Sequence, residues 1–386
     1  MQGKGSLGAS IVGVGATDFS KDSGRSVPRL AVEAALKAID DAGLKPSDIE
    51  GFVPYMIGPP SEDLMAGLGL KDVKFTGVTH MGGASPVVGL RSAAYAVNSG
   101  LAKAVMLYVA RNGRSGARVA ARLASQVPGG MYRSGLEHPQ GFSTPAHWYA
   151  LFCRRHMIEF GTTREQLGHV ALTMREHAQL NPNAMMRGKP LTMEEYKASR
   201  MIADPYLMLD CCLETDGACA VIVMSSERAA DTRKKPVTIR AVAEGHSDSA
   251  DDIVNRRDFF STGLTKAAPR AFASAGVTPK DVDLALIYDC FTFEVIQQLE
   301  EAGFCPRGEG GRFVEDGHIR LGGTLPVNPH GGLMSEGHIA GINHIVEAVR
   351  QLRGECGERQ VKNAEIAAVT GWGDLGDGAL AILSKN

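Results

Sequence analysis

Residues 42–50 read Ala42-Gly43-Leu44-Lys45-Pro46-Ser47-Asp48-Ile49-Glu50, and residues 275–283 read Ala275-Gly276-Val277-Thr278-Pro279-Lys280-Asp281-Val282-Asp283. Ala-Gly, Pro and Asp recur in place, and the last two positions keep their chemical type. Each stretch follows an Ala-rich amphipathic segment, residues 30–41 and 264–274, whose glycine marks a helix end. Each then enters an apolar run, Gly51-Phe52-Val53 or Leu284-Ala285-Leu286-Ile287. The offset is 233 residues, and it also pairs Tyr55 with Tyr288. A second match, Asp216-Gly217-Ala218-Cys219-Ala220-Val221 against Asp377-Gly378-Ala379-Leu380-Ala381-Ile382, has an offset of 161 and runs on to Ser225 or Ser384. Ile11-Val12-Gly13-Val14 and Val237-Thr238-Ile239-Arg240 supply a leading strand to each copy. Internal repetition is the strongest statement a lone sequence makes about its fold. The chain is two copies of one α/β unit, joined near Arg228–Lys235, and the first carries about 72 extra residues by the difference of the two offsets.

Strand-like Ala104–Val109 follows a helical pattern at Val87–Asn98, and Ile366–Thr370 follows one at His338–Leu352. Near-continuous apolar runs of this kind belong to strands covered by helices on both faces. The extra residues fall between Asn112 and Leu209, with helical patterns at His147–Phe160 and Arg164–Leu180 and a turn at Asn181-Pro182-Asn183-Ala184. The expected organisation is a first half at 1–112 plus 210–230, an inserted loop domain at 113–209, and a second half at 236–386. The insertion, with Met185-Met186-Arg187, reads as a subdomain packed across a dimer or as a lid over a long ligand.

Of the 386 residues, 44% are hydrophobic and 22% charged, with a formal net charge of -2, which describes a globular chain without the clustered basic face of a nucleic-acid binder. No apolar run approaches a membrane span, and the first residues lack the apolar core of a signal peptide. Seven cysteines with no CxxC pair argue against a disulfide framework or a metal ribbon, so a reducing cytoplasm is expected and no metal within this chain. Gly13-Val14-Gly15 lacks the third glycine of a dinucleotide fingerprint, and His338 and His344 are spaced wrongly for zinc.

A duplicated α/β half with an insertion in its first copy resembles the thiolase superfamily, and motifs along essentially the whole chain agree. Leu209-Asp210-Cys211-Cys212 with Thr215-Asp216-Gly217-Ala218 is similar to the sterol-carrier-type branch, and Tyr288-Asp289-Cys290-Phe291 resembles that branch's His-Asp-Cys-Phe motif. Asn328-Pro329-His330-Gly331-Gly332-Leu333-Met334-Ser335-Glu336-Gly337-His338 resembles the segment that supplies the catalytic histidine. The opening, Ile11 to Lys21, looks like that of the lipid-transfer proteins that act as steroid side-chain aldolases, and like the large subunit of 2-benzoylsuccinyl-CoA thiolase. The resemblance implies a layered α/β/α/β/α fold, CoA as co-substrate, a homodimer, and a small OB-fold partner subunit carrying a zinc ribbon.

The departures direct the chemistry. Ordinary thiolases have a nucleophilic cysteine where this chain has Met81, and a second one where it reads Gly371-Trp372-Gly373. A thioether carries no acyl group. Cys290 beside His338 is a candidate replacement, since an imidazole favours a neighbouring thiolate; Cys290 also reads as a small buried hydrophobe. Steroid aldolases of the resembling type have histidine at the place of Cys290 and tyrosine at that of His338, so the paired change points toward acyl transfer. Tyr288 and His330 are further candidates. Backbone at Met81-Gly82-Gly83, Gly332 and Trp372-Gly373 is expected to approach the ligand and hold an oxyanion, worth on the order of 3–4 kcal/mol per donor. The expected reaction is CoA-dependent thiolytic cleavage of a bulky or aromatic β-ketoacyl-CoA. The alternatives are retro-aldol cleavage of a β-hydroxyacyl-CoA, with Tyr288 or His338 as base, and a non-catalytic acyl-CoA carrier.

Overall fold

The computed structural model describes residues 5–117, 133–248, 256–373 and 376–386. The strands of the first half are β1 (Ala9–Ala16), β2 (Gly51–Pro54), β3 (Phe75–Thr76), β4 (Ala104–Asn112) and β7 (Asp216–Ser225), with the small hairpin β5 (Met201–Ala203) and β6 (Tyr206–Leu207) between the last two. The second half supplies β8 (Val237–Gly245), β9 (Leu284–Leu286), β10 (Ile366–Gly373) and β11 (Asp377–Lys385). The helices that matter below are α1 (Val27–Ala42), α2 (Ser61–Leu68), α3 (Ser85–Asn98), α4 (Pro145–Phe160), α5 (Arg164–Gln179), α6 (Met193–Ala198), α7 (Gly263–Ala275), α8 (Thr292–Glu301), α9 (Gly332–Ser335) and α10 (Ile342–Arg353).

The repeat is visible atom by atom. α1 and α7 both end on a left-handed glycine, Gly43 at φ 72° and Gly276 at φ 68°. A Cβ in that conformation costs roughly 1–2 kcal/mol, so only glycine turns the chain there without strain. Both glycines lead into a single 3₁₀ turn, Pro46–Asp48 or Pro279–Asp281, and then into the equivalent strands β2 and β9. β2 and β9 each pair in parallel with the equivalents β4 and β10, which pair antiparallel with β7 and β11. In the strand order β3-β2-β4-β7-β1-β8-β11-β10-β9 the two halves therefore mirror each other about the β1–β8 junction, with β3 as an extra edge strand of the first half. They meet at β1 and β8 through Ser10↔Thr238 and Ile11↔Val237, so the hydrogen-bonded ladder runs through both halves as one nine-stranded mixed sheet.

Three apolar clusters define the layers. α1 and α2 cover the outer face of the first half. α3 and α10 lie between the halves, their Val87, Leu90, Ile345 and Val349 packed with strand residues of both. α7 and α8 cover the outer face of the second half, where helices α4 and α5 of the insertion join the same core through Trp148, Phe152, Leu167 and Met174. This is the α/β/α/β/α arrangement implied by the thiolase resemblance, with burial on both faces explaining the unbroken apolar runs. One helix differs: the pattern from His338 predicts a helix there, but α10 begins only at Ile342. Gly341 stands at φ 83° and caps it, which keeps residues 338–341 outside the helix. No helix among the described residues is long and apolar enough to cross a membrane.

Candidate active site

Loop ends from both halves converge with the insertion on a cavity of about 830 Å³. The first half contributes Gly82 and Gly83 before α3 and Arg111 at the end of β4; the second contributes Tyr288, Cys290, His338, Trp372 and Gly373. Tyr149, Arg175 and Met186 of the insertion line another part of the wall, which is mostly apolar.

His338 is held by its backbone and by both ring nitrogens. Its N–H donates to Thr215 Oγ1 at 2.9 Å. Nε2 lies 3.0 Å from Tyr288 Oη, and Nδ1 lies 3.3 Å from Cys212 Sγ. The Tyr288 ring is pinned between two glycines. A Cβ on Gly83 would sit 2.3 Å from Tyr288 Cζ, and one on Gly341 would sit 2.8 Å from Cδ2. These glycines admit a close approach that no other residue permits. Tyr288 N–H donates to Thr370 Oγ1 at 3.0 Å, which fixes the strand end that carries the ring.

The electrostatics keep this cluster uncharged at neutral pH. Burial holds the His338 imidazole well below its usual range, and the positive charge of Arg111 adds to that. Burial pushes the Tyr288 phenol up, so it remains a donor. With the phenol donating to Nε2, the one proton of a neutral ring sits on Nδ1 and faces the Cys212 sulfur. The Cys212 thiol is itself raised by burial. Cys290 lines the same cavity, but among the described residues it makes no hydrogen bond to His338. Burial pushes its thiol well above the ordinary range, and the neighbouring Glu294 carboxyl acts in the same direction.

The other residues singled out from the sequence divide. Gly82, Gly83, Trp372 and Gly373 line the cavity; a Cβ on Gly373 would meet Met81 O at 2.3 Å and Gly83 N at 2.6 Å, so the two backbone segments press together there. Met81 packs into the apolar core and is not part of the wall, its N–H donating to Ser85 Oγ at 2.9 Å. Gly332, at φ 63°, serves Asp289 instead of the ligand: a Cβ would lie 2.1 Å from Asp289 Oδ2. The carboxylate accepts from Leu333 N–H at 2.8 Å and Met334 N–H at 3.1 Å, the first turn of α9. His330 is fully buried behind the site, with Nε2 3.1 Å from His344 Nδ1. Cys212, Thr215 and Arg111 escaped the sequence reading as site residues. Cys212 and Thr215 lie inside a motif quoted above, but nothing in their spacing announces a partner 126 or 123 residues away.

Residues 245–385 match the family model described as thiolase C-terminal domain-like. The chain is 43% identical to a 17-hydroxy-3-oxo-4-pregnene-20-carboxyl-CoA lyase of Mycobacterium tuberculosis over 353 residues, covering 90% of this chain and 92% of that one. It is 41% identical to a steroid side-chain-cleaving aldolase of Thermomonospora curvata, covering 94% and 95%. The solved structure of an Ltp2-ChsH2(DUF35) aldolase superposes with a TM-score of 0.91 at 39% identity, covering 98% of both chains. The chain belongs to the thiolase superfamily, in its sterol-carrier-type branch. Within that branch it resembles carbon–carbon lyases more closely than acyltransferases, which match at lower identity.

Proposed function

We propose that this chain is a lyase that cleaves a β-hydroxyacyl-CoA with a bulky, steroid-like acyl group by a retro-aldol reaction. The observation that carries this reading is the Tyr288–His338 pair: a neutral imidazole accepting from a protonated phenol in a mostly apolar cavity. Such a pair moves a proton without any ionised sulfur. Tyr288 takes the substrate hydroxyl proton as it passes its own to His338 Nε2. The C–O bond becomes a carbonyl, the Cα–Cβ bond breaks, and the electron pair passes to the thioester as an enolate. Protonation at Cα from the same pair yields the shortened acyl-CoA and a ketone or aldehyde. The names of the lyase and aldolase relatives support the same reaction class.

CoA-dependent thiolysis needs a thiolate, and the burial of Cys290 and Cys212 opposes one. CoA then serves as the handle of the substrate, and exposed Lys21 and Arg114 on the cavity wall suit its phosphates. Likeness to the Ltp2-ChsH2(DUF35) aldolase supports a small DUF35-type partner subunit; a homodimer core is the accompanying proposal. Incubating the chain, alone and with such a subunit, with a steroid side-chain β-hydroxyacyl-CoA should release ketone and short acyl-CoA in the absence of added CoA. Strict dependence of turnover on free CoA, or loss of all turnover in Cys290→Ala, returns the assignment to thiolysis.

A further inference from the structure

Arg111 closes β4 and lines the cavity together with Gly83, Tyr288, Cys212 and His338. Among the described residues its guanidinium has no hydrogen bond and no ion pair. Two acids of the adjoining segment have other partners. Asp216, whose strand β7 pairs with β4, accepts from Ser23 N–H at 3.1 Å, Arg114 N–H at 2.9 Å, Ser115 N–H at 3.0 Å and the Ser115 hydroxyl. Glu214 lies 3.9 Å from Arg114. A half-buried guanidinium left unpaired in an apolar cavity is costly unless an anion arrives with the ligand. Arg111 shares the wall with the reacting pair, and its charge is felt at His338, Tyr288 and Cys212 alike. The proposed cleavage creates one new negative charge in this cavity, on the thioester oxygen.

We propose that Arg111 is a catalytic residue whose guanidinium receives the enolate oxygen of the departing acyl-CoA. As the Cα–Cβ bond breaks, its electron pair becomes the Cα=C bond of the enolate, and the thioester carbonyl electrons move onto oxygen against Arg111. The proton that left the substrate hydroxyl returns to Cα, the carbonyl re-forms, and the charge on Arg111's partner disappears. The inference rests on the cleavage reading for its timing, although any reaction that forms an acyl-CoA enolate here makes the same demand. It adds a side-chain donor to the backbone donors expected at Gly82 and Gly83, which line the same cavity.

The test uses the full chain. S-carboxymethyl-CoA imitates the enolate with a carboxylate, and S-carbamoylmethyl-CoA is its neutral isostere. The wild-type chain should bind the anion at least about 10-fold more tightly, the gain of a charge-assisted hydrogen bond. Arg111→Gln should lose that preference and, in turnover, lose about 100- to 1,000-fold in kcat with little change in KM. Arg111→Lys should recover part of both. The acid limb of the pH–rate profile should also move up in Arg111→Gln, because Tyr288, Cys212, His344 and Arg111 are the groups that face His338 and only the cation is removed. An anion preference that survives in Arg111→Gln, or a kcat within a few-fold of wild type in a variant with native circular dichroism, overturns the proposal. A chain that shows the Arg111-dependent preference but no retro-aldol turnover leaves the role of Arg111 standing and removes the retro-aldol reading alone.

Discussion

Tyr288 is the residue on which the proposed chemistry turns, and its position depends on a glycine outside its own half. Gly83 leaves the room that the phenol ring fills, since a methyl group there would lie 2.3 Å from Cζ and 2.3 Å from Trp372 O. Gly83→Ala must therefore push the ring or the Trp372 backbone aside. Misplacing a catalytic group by about 1 Å costs about 100-fold in rate. We expect that loss in kcat with the fold intact, checked by steady-state kinetics beside a thermal melt. Tyr288→Phe keeps the packing and removes the hydroxyl that Nε2 meets. It should lower kcat by about 100- to 10,000-fold, the range of general acid–base contributions. Cys290→Ala is expected to keep most activity, because among the described residues the sulfur makes no hydrogen bond to His338 and burial raises its pKa. Sequence reading picked out three of the cavity's reactive side chains, Tyr288, Cys290 and His338. It paired His338 with Cys290, because both positions differ together from the resembling steroid aldolases, whereas the imidazole faces Cys212.

At the scale of an element, α8 is unusual. It begins directly after Cys290-Phe291 and buries Glu294, Gln297 and Gln298 along with its apolar residues. Glu294 accepts from Tyr206 Oη at 2.9 Å, and burial raises its carboxyl to about 8. Glu301, at the helix end, is raised to about 8 for the same reason. A carboxyl whose folded pKa lies above its unfolded value is protonated in the native state first. Its stabilisation is complete below about pH 4.5 and is lost as pH rises through about 8. Glu294 should thus cost stability at about 1.4 kcal/mol per pH unit inside that window. Urea unfolding at pH 5.5 and 8.0 should show a smaller drop in Glu294→Gln than in wild type; equal drops would remove this carboxyl from the account. Helices α1 and α7 were legible from their repeat and terminal glycines, and α8's polar burial was not. An amphipathic pattern says which face is apolar, but a folded neighbour decides whether the polar face also goes inside.

For the whole molecule, the decisive feature is the shared middle layer. α3 belongs to the first half and α10 to the second, yet each packs on strands of both. Neither half has a complete core without the other, and the insertion packs on the second half through Trp148 and Phe152. The chain should unfold as one cooperative unit. Its two tryptophans stand in different parts, Trp148 in α4 and Trp372 in β10. Fluorescence of Trp148→Phe and Trp372→Phe should give coincident urea midpoints, each matched by circular dichroism. Separated midpoints would show that the insertion or one half melts alone.

The sequence alone determined the duplication, and with it the equivalent helix ends and the superfamily. Periodicity and terminal glycines are local properties, and the repeat writes them twice. Tertiary structure decided what touches what. Cys212 meets His338 across 126 residues, Gly83 of one half shapes the ring of Tyr288 in the other, and Arg111 stands without a carboxylate partner among the described residues. Such contacts depend on how layers close over one another, and packing at that distance leaves no mark in the spacing of the chain.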